Sequence, residues 1–392
     1  MKIIRVEMEG LKCFRDGKFK VDFVATDKVF KNSTTFKIAD NVAVQTVIGF
    51  VGLNATGKTT ALRLLDTALN IVIRNEDLNR AILSGLIIDD TLIRTTFFFN
   101  GAYHQLESIV GCRQEDIGEG ELKFYYKAET LKTKKKPRIS SRSALFDFTD
   151  EKNVNTVSRA SIAEDKAQYL DDSKSIVGPL IRRNKSYVSA NFWMNYINAA
   201  VLTGSTPREI LEVFDDSIEE LSATKSLTKN EQSWTIKFKG EQTDYHGTDL
   251  LEPNSLISTG TISGQRLIKD AITALEKGGY LIVDELEAHM NKELVRVVLE
   301  LFSSRETNPF GACLIFSTHY AEILDFSILN RKDNIYIARR NDGLLSVRKL
   351  SDDFKRNDFK KSEIFLSNAL TGTAPSYEAI ENLRSYVCKR VN

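Results

Sequence analysis

The chain has 392 residues, and its 54 Lys and Arg residues balance 53 Asp and Glu residues, which leaves a net charge of +1. No overall field therefore draws it to nucleic acid or to a membrane surface, and either partner would need a local patch. Hydrophobic residues make up 42% and charged residues 27%, with 6 prolines, which excludes a disordered chain, a collagen-like repeat and a coiled-coil rod.

The cysteine pattern and the apolar runs bear on the compartment. The four cysteines lie far apart with no Cys-x-x-Cys pair, which indicates neither a zinc site nor a disulfide framework and fits a reducing cytoplasm. Charges interrupt the apolar residues of 1–17, unlike a signal peptide, and no apolar run reaches the ~18 residues of a membrane-spanning helix. We therefore expect a cytoplasmic protein with no membrane partner.

The first part of the chain predicts an α/β unit behind a strand pair. Apolar and polar residues alternate in 2–9 and 18–23, which is typical of two paired strands. Residues 46–51 form a continuous apolar run, typical of a buried central strand, and a Gly-containing loop follows. The next apolar residues are spaced as on one face of a helix: Ala61, Leu65, Ala68 and Val72. Strand, loop and helix in this order begin an α/β unit.

The middle of the chain changes character several times. Residues 92–131 are rich in β-forming residues, and a basic run at 132–138 and a polar surface segment follow. Residues 174–223 have a pattern that we interpret as helical. The α/β pattern then resumes, with predicted elements in this order: a helix at 265–277, a strand at 280–283, a helix at 291–303 and a strand at 312–316.

Residues 52–59, GLNATGKT, match the pattern G-x-x-x-x-G-K-[ST] between a predicted strand and a predicted helix, the context that a phosphate-binding loop requires. Glycines let backbone N–H groups point at phosphate oxygens, Lys58 can reach the β and γ phosphates, and the Thr59 hydroxyl can bind Mg²⁺. The expected nucleotide contacts are Gly52, Asn54, Ala55, Thr56, Gly57, Lys58, Thr59 and Thr60. The alternative is a glycine turn before a helix.

The strand at 280–283 ends in two carboxylates, Asp284 and Glu285. Asp284 can hold the Mg²⁺ that Thr59 also binds, and Glu285 can polarise an attacking water as a general base. Alone, such a run is more often a strand that reaches solvent, but a phosphate-binding loop upstream favours the catalytic interpretation.

Two further motifs lie next to predicted elements, one before a helix and one after a strand. Residues Ser258, Thr259, Gly260 and Thr261 precede a predicted helix, and a Ser hydroxyl with Gly amides there can bind an anion, although an N-capped loop has the same pattern. His319 follows the strand at 312–316, which places it at the edge of the sheet beside the expected nucleotide.

Five segments follow one another in this order: EGLKCFRD, GLNATGKT, STGT, LIVDELEAHMN and STHYAEILD. Together they resemble the ABC-type P-loop ATPases outside the transporters, namely the SMC, RecF and OLD-like, AAA_15/AAA_21-type proteins. The resemblance covers about 1–105 and 250–345. It implies ATP and Mg²⁺ as cofactors, 52–60 as Walker A, 258–261 as the signature that completes a partner's site, Asp284 with Glu285 as Walker B, 286–291 as the D-loop region and His319 as the switch histidine. Gln105 is the candidate Q-loop residue.

The resemblance also implies a fold and an assembly. The fold is α/β, an ABC-ATPase-like core with a mixed sheet flanked by helices, N-terminal antiparallel strands and a mainly helical insertion. Two copies would form a homodimer, or a higher oligomer, with ATP at the interface. The predicted segments are 1–105 with Walker A, 106–250 as an insertion or lid, 251–349 with the signature, Walker B and His319, and 350–392 as a tail.

More narrowly, the short insertion and the STGT signature resemble ATPases of bacterial antiphage systems such as PARIS, abortive-infection and RloC-like loci. This implies a sensor or regulatory ATPase that controls a separate effector, a toxin or nuclease encoded nearby. The alternative is a RecF-like or SMC-like DNA-repair ATPase, with 132–138, Arg182, Arg183 and Lys185 as phosphate contacts. A transporter subunit is disfavoured because transporters have SGGQ where this chain has STGT.

Overall fold

A computed structural model provides the structure of the protein. It describes residues 1–27, 34–39, 41–82, 85–114, 122–135, 142–162, 170–192, 204–225, 232–249, 251–288, 290–329, 331–354, 360–366 and 377–391. Within these ranges, no helix has both the length and the apolar character that crossing a membrane requires.

The described residues form strands and helices that alternate through much of the chain. The strands are β1 Lys2–Glu9, β2 Lys18–Asp22, β3 Thr35–Ala39, β4 Val42–Gln45, β5 Val47–Val51, β6 Thr91–Phe99, β7 Ala102–Gln114, β8 Leu122–Lys135, β9 Val154–Ser158, β10 Val188–Asn191, β11 Gly204–Ser205, β12 Ile218–Lys225, β13 Gln232–Phe238, β14 Tyr245–Gly247, β15 Tyr280–Val283, β16 Cys313–Thr318, β17 Ile335–Asn341 and β18 Leu344–Lys349. The helices are α1 Lys58–Leu69, α2 Leu78–Ala81, α3 Arg142–Phe146, α4 Gly178–Ile181, α5 Arg208–Phe214, α6 Thr259–Lys277, α7 Lys292–Ser303, α8 Leu350–Asp353, α9 Lys361–Leu366 and α10 Tyr377–Val391.

The central sheet has the strand order β10-β15-β16-β5-β17-β18. Its first five strands are parallel, and β18 adds an antiparallel edge. In β15 and β16 successive side chains enter opposite clusters: Tyr280 and Ile282 face α1, whereas Leu281 and Val283 face α6 and α7. All four are buried, which explains the continuous apolar run in the sequence.

A second, antiparallel sheet has the order β2-β1-β6-β7-β8-β9. The predicted pairing of the two N-terminal strands is confirmed, with Glu7 of β1 opposite Lys20 of β2. The apolar face of this sheet packs on α1 and on one face of the central sheet, through side chains such as Val6 and Phe97. The predicted segment boundary at residue 105 falls inside β7.

The predicted helical character of 106–250 is wrong for the residues that the structure describes. Helices there are short, at Arg142–Phe146, Gly178–Ile181 and Arg208–Phe214, and most of the regular structure is strand. The predicted helical stretch 174–223 includes β12, in which Ile218 and Leu221 are both buried although they are three residues apart. An irregularity in register between Ile218 and Glu220 produces this spacing, which imitates a helical face. Residues 193–203 of the predicted helical stretch lie outside the described residues.

A third sheet, β11-β12-β13-β14, lies next to α6. Leu211 of α5, Trp234 of β13 and Ile262 of α6 share one buried cluster, so the sheet is attached to the first turns of α6. Gly264 allows the close approach of α5, because a Cβ at that position would lie 2.0 Å from the Phe214 ring.

Candidate active site

The site lies where three parallel strands end side by side. In register, Val51 of β5 pairs with Thr318 of β16, and Phe316 of β16 pairs with Val283 of β15. The residues that follow these strands therefore meet at one edge of the sheet. This edge brings together the loop 52–57, the carboxylates from Asp284 onward, and His319.

The loop between β5 and α1 has the backbone that the glycine pattern predicts. Gly57 has φ +92°, and Ala55 is also left-handed at +61°. A Cβ at Gly52 would lie 2.5 Å from the Ala338 carbonyl oxygen and 2.5 Å from Thr56 Oγ1, so only glycine fits there. Thr56 closes the loop by donating from Oγ1 to the Leu53 carbonyl at 2.7 Å.

The side chains of the loop divide into exposed and buried groups. Asn54 and Ala55 are exposed, Thr59 and Thr60 are half-buried at the start of α1, and Thr56 and Lys58 are buried. The curved backbone and the N-terminus of α1 form a cradle for an anion, as the sequence predicts.

Lys58 lies inside this loop rather than in solvent. Its Nζ donates to the carbonyl oxygens of Gly52 at 2.8 Å and Leu53 at 2.9 Å, and lies 3.1 Å from Nδ1 of His319. Burial lowers the pKa of the Lys58 ammonium from 10.5 to about 8, and the charges of Asp284, Glu285 and Glu287 oppose that shift.

The two predicted Mg²⁺ ligands are in direct contact. Thr59 Oγ1 donates to Asp284 Oδ2 at 2.7 Å. The other carboxylate oxygen, Asp284 Oδ1, accepts a hydrogen bond from Ser317 of β16, and Asp284 is 8% exposed. Ser317 is not among the predicted site residues, although it lies two residues before His319 in the same motif.

Glu285 and His319 form the second contact at this edge. His319 Nε2 lies 3.1 Å from Glu285 Oε1, so the imidazole bridges Lys58 and Glu285. Glu285 has a left-handed φ of +51°, and its backbone N–H donates to Ser317 Oγ at 2.7 Å. Ser317 therefore fixes both predicted Walker B acids.

Glu287 is a further acid of the site, predicted only as part of the D-loop region 286–291. Its Oε1 accepts a hydrogen bond from the backbone N–H of His319 at 2.6 Å, which anchors the histidine loop. Its Oε2 is buried without a hydrogen-bond partner, and the residue is only 8% exposed. His289, inside the predicted D-loop region, lies outside the described residues.

The predicted signature begins α6. Ser258 is its N-cap and accepts a hydrogen bond from Thr261 N–H at 3.0 Å. Ser258 is exposed, Thr259 and Gly260 are half-buried, and Thr261 is buried. Among the hydrogen bonds of the described residues, none joins 258–261 to the loop 52–59 of the same chain.

The structure does not bring Gln105 to the site. It lies in β7 of the antiparallel sheet, opposite Thr96 and Lys132, and no hydrogen bond within the described ranges joins it to 52–59. The strand beside β15 is instead β10, which ends at Asn191. The Asn191 carbonyl accepts from Asp284 N–H at 3.0 Å, and its side chain donates to Asp270 of α6.

The residues present fit ATP and Mg²⁺. A hydroxyl and a carboxylate in contact, Thr59 and Asp284, are the hard oxygen ligands that Mg²⁺ prefers. The backbone cradle and Lys58 suit phosphate oxygens, and Glu285 lies beyond them as a possible base.

A family model matches the chain, whereas no curated protein matches it. The matching family model is described as "AAA domain, putative AbiEii toxin, Type IV TA system" and covers residues 47–325, more than half of the chain. The range includes the phosphate-binding loop, the carboxylates after β15 and His319, and the mixed α/β architecture fits the P-loop NTPase fold. The chain therefore belongs to this AAA-domain family of P-loop ATPases.

Proposed function

We propose that the protein is an ATP-hydrolysing switch that dimerises around ATP and regulates a separately encoded effector of an antiphage system. The observation that supports hydrolysis best is the connected set of side chains at the sheet edge. Thr59 contacts Asp284, and His319 links Lys58 to Glu285. A phosphate-binding loop, an ion site and a base then occupy one edge.

In this proposal each side chain has a separate task. Lys58 leaves the carbonyls of Gly52 and Leu53 and donates to phosphate oxygens of ATP. Thr59 and Asp284 hold Mg²⁺, which neutralises phosphate charge when it is bound. Glu285 orients a water and takes its proton, while His319 keeps the carboxylate in place.

Dimerisation around ATP is supported by the exposed start of α6. Among the described residues, no hydrogen bond joins Ser258 or the half-buried Gly260 to the loop 52–59 of their own chain, and the N-terminus of a 19-residue helix attracts anions. In a head-to-tail pair, each α6 would face the γ-phosphate bound by the other copy. ATP would then hold the two copies together, and hydrolysis would release them.

Two substitutions test the switch. Lys58→Ala should abolish ATP binding, because it removes the one cation of the loop, as measured by equilibrium binding of a fluorescent ATP analogue. Glu285→Gln should bind ATP normally, stop hydrolysis and accumulate an ATP-bound dimer in analytical ultracentrifugation. Hydrolysis by Glu285→Gln at the wild-type rate would refute the assignment of the base.

The role in defence is supported by the family description, which names a toxin of a Type IV toxin–antitoxin system. The chain supplies the ATPase, so the toxic activity would belong to a separate effector. The test is phage plating on cells that carry the gene with its neighbours, comparing wild type, Lys58→Ala and deletion of each neighbouring frame. Equal plating on all strains would contradict the defence role.

The DNA-repair alternative loses part of its predicted contact surface. Lys132 Nζ donates to Glu107 Oε2 at 3.1 Å, and Lys134, 5% exposed, donates to the carbonyls of Ala144 and Asp147. These two cations bind their own chain, and 136–138 lie outside the described residues. Three exposed cations of the prediction are left among those described: Arg182, Arg183 and Lys185. The alternative would be favoured if the protein binds DNA in a salt-dependent manner and this binding is lost when these three residues are neutralised.

A further inference from the structure

A cavity lies at the end of the central sheet that is away from the candidate active site. Its volume is about 400 Å³, which is within the range of small-molecule sites. The residues that line it are Thr35, Phe36, Lys37, Thr46, Phe302, Ser303, Ser304, Arg305, Asn308 and Pro309. Thr46 directly precedes β5 and the loop 52–57 follows β5, so the 5 residues of this strand, about 16 Å at ~3.3 Å each, separate the cavity from the phosphate-binding loop.

The loop after α7 holds the cavity in shape. The Asn308 side chain donates to the carbonyl oxygens of Phe302 at 2.8 Å and Ala312 at 2.9 Å, and its Oδ1 accepts from the Ala312 N–H at 2.6 Å. Phe302 is fully buried and Phe36 is half-buried, so two aromatic residues contribute apolar surface to the wall. A ligand would therefore meet a preformed site, which reduces the entropy cost of binding.

One polar group in the wall lacks a partner. Thr46 is 4% exposed, its N–H donates to the Thr34 carbonyl at 3.0 Å, and its own carbonyl accepts from the Leu314 N–H at 2.9 Å. Its hydroxyl has no hydrogen-bond partner among the described residues. Buried polar side chains are nearly always hydrogen-bonded, because an unpaired group loses its contact with water. Since Thr46 lines the cavity, a molecule bound there can supply the missing partner.

The charged side chains of the wall are basic. Lys37 and Arg305 are exposed, and no Asp or Glu is among the residues that line the cavity. Within the described ranges, Arg305 forms no ion pair. A third cation, Lys2, has its Nζ 5.2 Å from the centroid of the Phe36 ring. This charge favours an anion, since a guanidinium can pair with a carboxylate or a phosphate through two hydrogen bonds.

The end of α7, which also contributes to the wall, does not call for a cation. The last carbonyl groups of a helix carry partial negative charge when they are left unpaired. In α7, carbonyl oxygens of the last turn accept from side chains of the chain itself at 2.6 to 2.8 Å: Ser303 Oγ, Thr307 Oγ1 and Asn308 Nδ2. The basic side chains therefore determine the charge of the ligand that fits.

We propose that this cavity binds a small organic anion, a carboxylate or a phosphate that carries an aromatic part. Oxygens of the ligand would accept from Arg305, from Lys37 and from the Thr46 hydroxyl. The aromatic part would lie against Phe36 and Phe302. This site goes beyond the proposed ATP switch, and its occupancy does not require ATP.

The test is calorimetric titration of the full-length protein, without nucleotide, with 2-naphthoate, with 2-naphthyl phosphate and with the neutral 2-naphthylmethanol. Wild type should bind at least one of the two anions at a single site, and the neutral analogue at least about tenfold more weakly, because it lacks the charge that pairs with Arg305. The tighter of the two anions distinguishes a carboxylate ligand from a phosphate ligand.

Two matched substitutions test the charge. Arg305→Glu should weaken binding of the anion at least about tenfold, because it replaces an attraction by a repulsion. Arg183→Glu is the control, since Arg183 is also exposed but does not line the cavity, and it should bind like wild type.

Thr46→Val tests the hydroxyl without a large change in volume. Binding of the anion should weaken about three- to tenfold. The stability of the protein without a probe, measured by urea unfolding, should not fall, because the hydroxyl has no hydrogen bond to lose. A loss of stability would show that the hydroxyl serves the fold, and would overturn its role as a ligand contact.

Lys58→Ala should bind the anion like wild type, which separates the cavity from the phosphate-binding loop. The proposal would be overturned if neither anion binds at a single site, if the neutral analogue binds as tightly, if Lys58→Ala abolishes binding, or if Arg305→Glu binds like Arg183→Glu. These measurements use no ATP, so their failure is distinguishable from failure of the ATP switch.

Discussion

The hydroxyl of Ser317 contacts both predicted Walker B residues. Its hydroxyl donates to Asp284 and accepts from the Glu285 backbone N–H at 2.7 Å, and the residue is fully buried in β16. Glu285 has φ +51°, a left-handed conformation that costs a non-glycine residue about 1–2 kcal/mol. The Ser317 hydroxyl helps to hold the base in that conformation.

Ser317→Ala removes both hydrogen bonds without a large change in volume. A hydrogen bond to a charged group contributes about 1.5–3 kcal/mol, and an N–H group left without its partner costs about 1 kcal/mol or more. We therefore expect the free energy of unfolding to fall by about 2–4 kcal/mol. Displacement of the Glu285 carboxylate should lower kcat for ATP hydrolysis about 10- to 100-fold, because small errors in position are costly in catalysis.

The assays are urea unfolding without nucleotide and steady-state ATP hydrolysis. KM for ATP should change little, because the contacts of Lys58 with the loop are not altered. Ser303→Ala is the control: it removes one hydrogen bond to the Leu299 carbonyl in α7, away from the site, and should cost about 1 kcal/mol with no loss of kcat. A Ser317→Ala variant that matches this control in both assays would refute the reasoning.

Three further predictions follow from other contacts. Glu287→Ala should lower kcat about tenfold, because it frees the His319 backbone. Glu287→Gln keeps an acceptor for the His319 N–H and should lose less activity. An equal loss of kcat in both variants would show that the charge of Glu287 matters instead of this hydrogen bond. The pKa of Lys58 without nucleotide is about 8, and phosphate oxygens should raise it, so ATP binding should take up ~0.7 proton per site at about pH 8.5 and almost none at about pH 6.5. Calorimetry in buffers of different ionisation enthalpy measures this proton uptake. Equal uptake at the two pH values would contradict the prediction. Gly264→Ala should destabilise the fold by about 1–3 kcal/mol in urea unfolding, since its Cβ would meet the Phe214 ring at 2.0 Å; wild-type stability would contradict that close approach.

The core of the fold could be predicted from the sequence because its signals are local. A buried parallel strand requires a continuous apolar run, and the strands at 47–51, 280–283 and 313–318 each show one. The phosphate-binding loop needs glycine at Gly52 for steric reasons and at Gly57 for its positive φ. These requirements act on neighbouring residues, so the pattern can be recognised in the sequence without the tertiary structure.

The parts that sequence reasoning missed depend on contacts between distant segments. The irregular register of β12 gives a helical spacing to a strand, and only its pairing with β13 reveals the difference. Ser317 and Glu287 act through hydrogen bonds to residues 30 or more positions away, which no short motif encodes. Gln105 is the predicted Q-loop residue, but the sheet topology places it in β7 of the antiparallel sheet, and the strand next to β15 is β10.

The attachment of the third sheet to α6 would give the proposed switch a route to its proposed effector. Ile262 lies in the first turn of α6, one residue after the signature, and it is buried against Leu211 and Trp234. A buried, close-packed contact of this kind transmits displacement rather than absorbing it. If the start of α6 moves when it engages the γ-phosphate of the other copy, β11–β14 must move with it. We therefore expect the surface of this sheet, rather than the phosphate-binding loop, to report the nucleotide state to an effector. Hydrogen exchange of 232–238 should differ between Glu285→Gln with ATP and without it, and unchanged exchange there would exclude this route.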